Sequence, residues 1–324
     1  MSLTIIDDTE VEALGPTDDG TYTGAKGGTE MMADRIKGLI TEMGIEDKIN
    51  VIHSRVRNVD TSKRNLLVLH DLFNDPEVSH LKDVDSRNRF DKLIFVSNQQ
   101  MQTYNLALGV PYQSSLVMKN AIDPIMLDEA KPTDKINIIY HTTPHRGLEL
   151  LVPCFEKLAE TNDNIHLDVY SSFSIYGWEE RDKQYQPLFD QIKAHPQMTY
   201  HGYQPNDVVR EALKKAHIFG YPNIWPETSC IAVLEAMSAQ CEVVCPNHAA
   251  LFETTAGYAR EYQFAEDRQV HANIFVNVLN QAIENIRSKN TEAKLSTAKR
   301  HIDTHHSWEV KKQEWASLFS AILQ

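Results

Sequence analysis

The chain has 324 residues, of which 42% are hydrophobic and 24% charged, and its 45 acidic and 32 basic side chains give a formal net charge of −13. That length predicts two domains of ordinary size, the composition is that of a soluble globular protein, and no apolar run approaches the roughly 20 residues a bilayer span needs. The acidity disfavours a general grip on nucleic-acid phosphates, and the first eight residues turn acidic at once, unlike a signal peptide, so a cytoplasmic location is expected.

Short apolar runs at 4–6, 49–53, 66–70, 93–97 and 115–119 read as strands, with a helix over 28–43 between the first two. The alternation predicts a parallel sheet covered by helices. Asp123 precedes Pro124, and the polar stretch through Lys135 that follows reads as a linker. Beyond it the pattern restarts, with strands over 136–141, 166–171, 198–203, 217–221 and 242–246. Helices are expected over 147–160, 181–194 and 206–216, then from near Glu227, over 270–287 and over 309–323. The division is therefore expected at 1–123 for a first domain and 124–304 for a second, with residues 305–324 as a C-terminal helix.

The four cysteines, Cys154, Cys230, Cys241 and Cys245, form no C-x2-C pair and read as reduced core thiols. Zinc on Cys241, Cys245 and His248 would want a fourth ligand at suitable spacing, so no metal site is expected.

Two carboxylates in the second half, Glu227 and Glu235, are separated by seven residues. Pro226, Thr228 and Ser229 read as helix-start signals, placing Glu227 at the helix entrance and Glu235 inside the helix. At about 1.5 Å rise per residue the carboxylates would stand roughly 12 Å apart, with free N–H groups between them able to hold an anion. A sugar, a diphosphate and a ribose in line fit that frame. Other polar groups fall where strands end or helices begin. Gly27 and Gly28, in the segment 23–30, let backbone N–H groups approach a phosphate or an acceptor. His70 ends a strand and is placed to face the cleft. His141 and Arg146 join a strand to a helix at the carboxyl edge of the second sheet, where ligands bind in open α/β folds.

The Glu227/Glu235 spacing resembles the E-x7-E motif of retaining GT-B glycosyltransferases of family four. Gly27, Gly28 and Glu30 resemble that family's Gly-Gly-x-Glu segment, and Asn120-Ala-Ile-Asp123 its Asn-Gly-(Val/Ile)-Asp hinge. His201-Gly-Tyr203 resembles its base-lining loop, which would place Gly202 and Tyr203 at the donor. Residues 247–253 sit where the family has a loop ending in Pro-Glu. His141 and Arg146 fall where the family has Arg and Lys against the diphosphate, so the second cation is kept and the first becomes pH-dependent. Gln240-Cys241-Glu242 departs from the usual Gly-x-Pro.

The resemblance implies two Rossmann-like domains facing a cleft, with the last helix crossing back to the first domain. It implies metal-independent, retaining transfer from a nucleotide-sugar, UDP- or GDP-linked, with no further cofactor. Glu227, Arg146 and His70 would serve the reacting centre, and Glu235, Thr228, Ser229, His141, Gly202 and Tyr203 would hold the donor. The acceptor, whether glycan, lipid-linked, small molecule or modified nucleic-acid base, is left open. Alternatives on the same architecture are a noncatalytic nucleotide-sugar-binding protein and a nucleotide-sugar epimerase.

Overall fold

The computed structural model describes residues 26–324; the strand expected over 4–6 and residues 23–25 of the glycine-containing segment lie outside the described residues. The first half contains α1 (Gly28–Met43), β1 (Ile49–His53), β2 (Arg64–Leu69), the short α2 (Val84–Arg87), β3 (Lys92–Phe95), α3 (Asn98–Leu108) and β4 (Ser115–Val117). The strands form a parallel sheet in the order β1-β2-β3-β4. Alternate residues of β2 serve opposite faces, as the two-residue period of a strand requires. Leu66 and Val68 join the large core that includes α1, whereas Leu67 and Leu69 pack with Phe95 and Tyr104.

The second half contains β5 (Ile136–Tyr140), α4 (Leu148–Ala159), β6 (Ile165–Val169), α5 (Gln186–Ala194), β7 (Met198–Tyr200), α6 (Asn206–Lys215) and β8 (Ile218–Gly220). It continues through α7 (Ile231–Ser238), β9 (Glu242–Pro246), α8 (Leu251–Thr255), β10 (Arg260–Tyr262), α9 (Arg268–Asn285), α10 (Lys289–His305) and α11 (Trp308–Leu323). Its sheet is parallel with the order β10-β9-β8-β5-β6-β7. Two parallel sheets flanked by helices match the two Rossmann-like domains that the resemblance implies.

The expected helix over 181–194 is divided into a 3-10 stretch, Glu179–Tyr185, and α5. Pro187 in the first turn of α5 has no N–H to continue a helix from upstream. The helix expected from near Glu227 starts at Ile231 instead, with Cys230 as its N-cap and no side-chain cap. Thr228 stands two residues before that cap, and its hydroxyl donates to the His70 carbonyl at 2.8 Å rather than accepting from a helix N–H.

The halves touch directly. The Lys26 N–H donates to Asn206 Oδ1 at 2.7 Å. Glu253 on α8 accepts from the Asn98 and Gln99 N–H groups at 3.2 and 3.1 Å, capping α3 from the opposite half. The chain's end returns to the first half: Ile122 pairs with Ser307, and Lys312 on α11 forms an ion pair with Glu42 at 2.7 Å.

Candidate functional site

β5 and β8 are neighbours at the centre of the second sheet, and the segments leaving their carboxyl ends bring Arg146 and Glu227 together. Arg146 Nη1 donates to Glu227 Oε1 in a short ion pair, and its Nε donates to Thr143 Oγ1 at 3.2 Å. The same Glu227 oxygen accepts from the Tyr221 hydroxyl at 2.5 Å. Glu227 is 4% exposed. Burial alone would lower the Arg146 pKa, but the Glu227 carboxylate outweighs it and holds the guanidinium protonated well above its ordinary value. Gly147, at φ 122°, follows Arg146, and a Cβ there would collide with the Pro222 carbonyl oxygen. Only glycine lets the β5 and β8 loops pack closely enough to make this pair.

Glu235, on α7, is equally occupied: Arg210 Nη1 of α6 donates to its Oε1 at 2.6 Å. Arg210 Nη2 also reaches the Asp123 carbonyl, and Arg35 of α1 binds the Asp123 side chain, both at 2.8 Å. Burial raises the Glu235 carboxyl above its usual range, opposed by Arg210. Because Glu227 lies in the loop before α7, the axial spacing of one shared helix does not describe the two carboxylates.

The expected charge at His141 is absent. Burial pulls its pKa down to about 3, its ring packs on Phe219 at 4.5 Å, and it is neutral. Its Nε2 has no protein partner, so the position can offer a neutral hydrogen bond but not a pH-dependent cation. His145 beside Arg146 behaves alike: burial and Arg146 bring it to about 3, between Phe173 and Trp225.

His70 stands one residue past β2. Its Nε2 is 3.2 Å from His53 Nδ1, and burial followed by His53 lowers it to about 3, so it too is neutral. Its carbonyl meets Thr228, so these two expected site residues join across the halves. Ser229 lies half-buried in the same loop. Gly27 and Gly28 also face the second half. A Cβ at Gly27 would stand 2.7 Å from the Tyr176 ring, and one at Gly28 would stand 3.1 Å from Ile231, the first residue of α7. The N-termini of α1 and α7 thus converge, concentrating free N–H groups and positive dipole ends.

Gly202, at φ 65°, and the 36% exposed Tyr203 follow β7, the edge strand three places from β8. At about 4.8 Å per strand, that puts their loop roughly 14 Å from the Arg146–Glu227 pair, the scale of a nucleoside diphosphate.

Sequence reasoning missed Tyr221, Arg210 and Asp71, and it marked Glu30 only through the Gly-Gly-x-Glu resemblance. Glu30 Oε2 and Asp71 Oδ2 are buried without a hydrogen-bond partner, and desolvation raises both carboxyls, with Asp34 and then Asp71 adding to it at Glu30, and Asp75 and then Glu77 at Asp71. Asp71 lies directly after His70, and that adjacency was the available signal. All four cysteines are free and buried, and among the described residues no group of His, Cys, Asp and Glu is arranged to hold a metal. No helix among the described residues is long and apolar enough to cross a membrane.

Two parallel sheets with the Arg146–Glu227 pair at the carboxyl edge of the second define an α/β protein with a ligand site at its strand ends. The family model of the group 1 glycosyl transferases matches residues 125–299, more than half of the chain, and the chain belongs to that family. It is a glycosyltransferase. No curated protein sequence matches it. Among solved structures, a glycosyltransferase from Rickettsia africae is similar with a TM-score of 0.70 at 13% identity, over 95% of this chain and 84% of that one. HepE of Anabaena, in complex with UDP-glucose, has a TM-score of 0.63 at 17% identity, over 88% and 82%. Sucrose-phosphate synthase from Thermosynechococcus elongatus has 0.63 at 13%, over 91% and 78%. At these identities the likeness speaks to fold.

Proposed function

We propose that this protein is a retaining glycosyltransferase that moves a sugar from a UDP- or GDP-linked donor to an acceptor hydroxyl without a metal ion. The observation that carries the reading is the buried Arg146–Glu227–Tyr221 cluster at the converging N-termini of α1 and α7. A uridine donor is favoured by the UDP-glucose bound to the similarly folded HepE.

In this reading the diphosphate lies against Arg146 and the α7 N-terminus, which stabilise the negative charge that grows as the glycosidic bond breaks. Binding of the diphosphate draws Arg146 partly away from Glu227 and frees that carboxylate to orient the donor sugar or stabilise positive character on its ring. Glu235 takes the ribose hydroxyls, sharing its oxygens with Arg210. Gly202 and Tyr203 line the base, while neutral His70 and His141 contribute hydrogen bonds and no charge. The acceptor hydroxyl attacks from the face the diphosphate leaves, passing its proton toward the departing oxygen, so the anomeric configuration is kept.

We take residues 1–123 as the acceptor-side domain, 124–304 as the donor domain and 305–324 as the returning helix. The Ile122–Ser307 pairing and the Lys312–Glu42 ion pair support that division. Incubation with UDP- and GDP-sugars in excess EDTA, followed by NMR of the released or transferred sugar, tests the whole reading. Turnover with retained configuration is expected; an inverted product, or loss restored only by a divalent ion, refutes it.

A further inference from the structure

Glu235 is held from outside its own helix, by a residue that also bonds the chain where it passes between the halves. Arg210 lies on α6 and Glu235 on α7. Arg210 Nη1 donates to Glu235 Oε1 at 2.6 Å, while its Nη2 donates to the Asp123 carbonyl at 2.8 Å. Resting on the reading of Glu235 as the ribose ligand, we propose that Arg210 is a positioning residue that sets the ribose selectivity of the donor site and passes ribose occupancy to Asp123.

A carboxylate recognises a vicinal diol well only when its plane is fixed, because both hydroxyls must reach its lone pairs together. The Arg210 guanidinium is planar and is anchored at two points, so its bond to Oε1 also fixes the plane of the Glu235 carboxylate. Oε2 takes no hydrogen bond from the described residues, and 11% of the Glu235 side chain is exposed, which leaves that oxygen to accept from ribose. Arg210 also keeps the group in its accepting form. Burial raises the Glu235 carboxyl and Arg210 opposes it, whereas a protonated carboxyl would present a donor in place of an acceptor. A 2′-deoxyribose offers one hydroxyl fewer to the same oxygens and leaves part of the carboxylate unpaired.

Asp123 is gripped from the first half as well. Arg35 of α1 donates through Nη1 to the Ala121 carbonyl at 2.6 Å and through Nη2 to Asp123 Oδ2 at 2.8 Å. Two guanidiniums, one from each half, thus meet on one residue of the crossing chain. α7 reaches the same stretch again two residues later, where Ser238 Oγ accepts from the Ile125 N–H at 2.8 Å. From Glu235 through Arg210 and Asp123 to Arg35, each link is a direct hydrogen bond of 2.6 to 2.8 Å. A shift of Glu235 toward ribose hydroxyls pulls on the Arg210 fork, and the fork's other arm bears on the Asp123 carbonyl. Coupling of this kind is established by a response measured at both ends.

Calorimetry on the full chain with UDP and 2′-deoxy-UDP, and with the corresponding guanosine pair, reads the selectivity. The unaltered protein should prefer the ribonucleotide by at least about tenfold. Arg210→Met should cut that preference to about twofold or less, with deoxynucleotide affinity changed by less than about threefold, and Arg210→Lys should recover part of it. In turnover assays the loss in Arg210→Met should fall on donor KM rather than on kcat. Arg35→Met leaves the contact with Glu235 in place and should keep the preference. In hydrogen exchange, amides of residues 121–125 should slow on nucleotide binding in the unaltered protein, and in neither Arg210→Met nor Arg35→Met at saturation. A preference retained in Arg210→Met, or an equal loss for ribo- and deoxynucleotide such as a folding defect gives, overturns the role in selectivity. Slowing that survives in both variants overturns the link to Asp123. A preference lost in Glu235→Ala but kept in Arg210→Met removes Arg210 and leaves the donor reading standing, whereas an unaltered protein that binds both nucleotides alike removes the ribose assignment and this role with it.

Discussion

Arg146 meets Glu227 in a site where both are largely shut off from water, so each residue's value depends on the other. Arg146→Ala removes the charge that faces the leaving diphosphate and should lower kcat by about 10²–10³, the loss typical of a preorganised transition-state partner. Affinity for a bare nucleoside should change little, and Arg146→Lys should restore part of the rate. The same substitution leaves a buried carboxylate without its cation and should cost about 3 kcal/mol of stability, recovered in Arg146→Met/Glu227→Gln. Urea unfolding of the three variants decides it: a double variant no more stable than Arg146→Ala would show that the pair is not the source. Glu235→Ala should weaken nucleotide-sugar binding about tenfold with the fold retained, by loss of charge-assisted hydrogen bonds. Unchanged calorimetric affinity removes Glu235 from the donor site. Arg210 was not legible in the sequence because α6 reads as a solvated amphipathic helix, and its partner lies 25 residues away on α7. His141 was legible as a position but not as a neutral group, since neutrality comes from burial against Phe219 that spacing does not encode.

At the level of elements, apolar periodicity placed the strands well, and β1 and β9 fall on the expected residues. Helices with little apolar content escaped it. α3, with three glutamines and two asparagines, is fixed by the Ser97 hydroxyl, which accepts from the Gln100 N–H at 3.1 Å, and by the Glu253 carboxylate from the other half. α10 starts in the same way, with Ser288 accepting from Thr291 N–H at 3.2 Å. Those serines were the readable signals; the Glu253 cap, a contact over more than 150 residues of sequence, was not. α7 starts late for a related reason: the hydroxyl that should cap it serves His70 instead. Gly147 shows how one backbone angle secures an element junction. Gly147→Ala forces a side chain into φ 122° and against Pro222, and should destabilise by at least about 2 kcal/mol, with loss of donor binding. A shift of under about 0.5 kcal/mol in urea unfolding would mean that the β5 and β8 loops can separate without cost.

The whole molecule carries an unusual store of neutral buried histidine. Burial lowers His53, His217, His271 and His306 to about 4, and His70, His141 and His145 to about 3. In the unfolded chain these groups take up protons near pH 6.5, whereas the folded protein refuses them until pH 4 or below, so acid favours the unfolded state across that window. Glu30, Asp71 and Glu235 act oppositely: burial raises their folded values, and their contribution is present at low pH and lost as pH rises through those values. Seven histidines outweigh three carboxyls. The thermal midpoint should therefore fall steadily from pH 7 to pH 5 and be flat above about pH 7.5. A midpoint constant between pH 7 and 5 would mean that these rings are solvated.

The contacts between the halves set how the cleft can move. Thr228 to His70, Asn206 to Lys26, and Glu253 to the start of α3 all lie beside the proposed donor and acceptor positions, while the chain crosses between the sheets through the stretch 120–134 and returns at Ser307. These three clasps are polar, each contributing about 1 kcal/mol, a scale on which each can break and re-form within a catalytic cycle. Closure would exclude the water that otherwise hydrolyses an activated sugar. Thr228→Val with Glu253→Ala removes two clasps without touching Arg146 or Glu235. In solution scattering, the ligand-free double variant should be more extended than the unaltered protein, and UDP should compact both, most visibly the variant. Hydrogen exchange over 120–134 should slow on UDP binding. Scattering profiles that coincide for both proteins with and without UDP, together with unchanged exchange in that stretch, would replace the closing clamp with a rigid, preformed cleft.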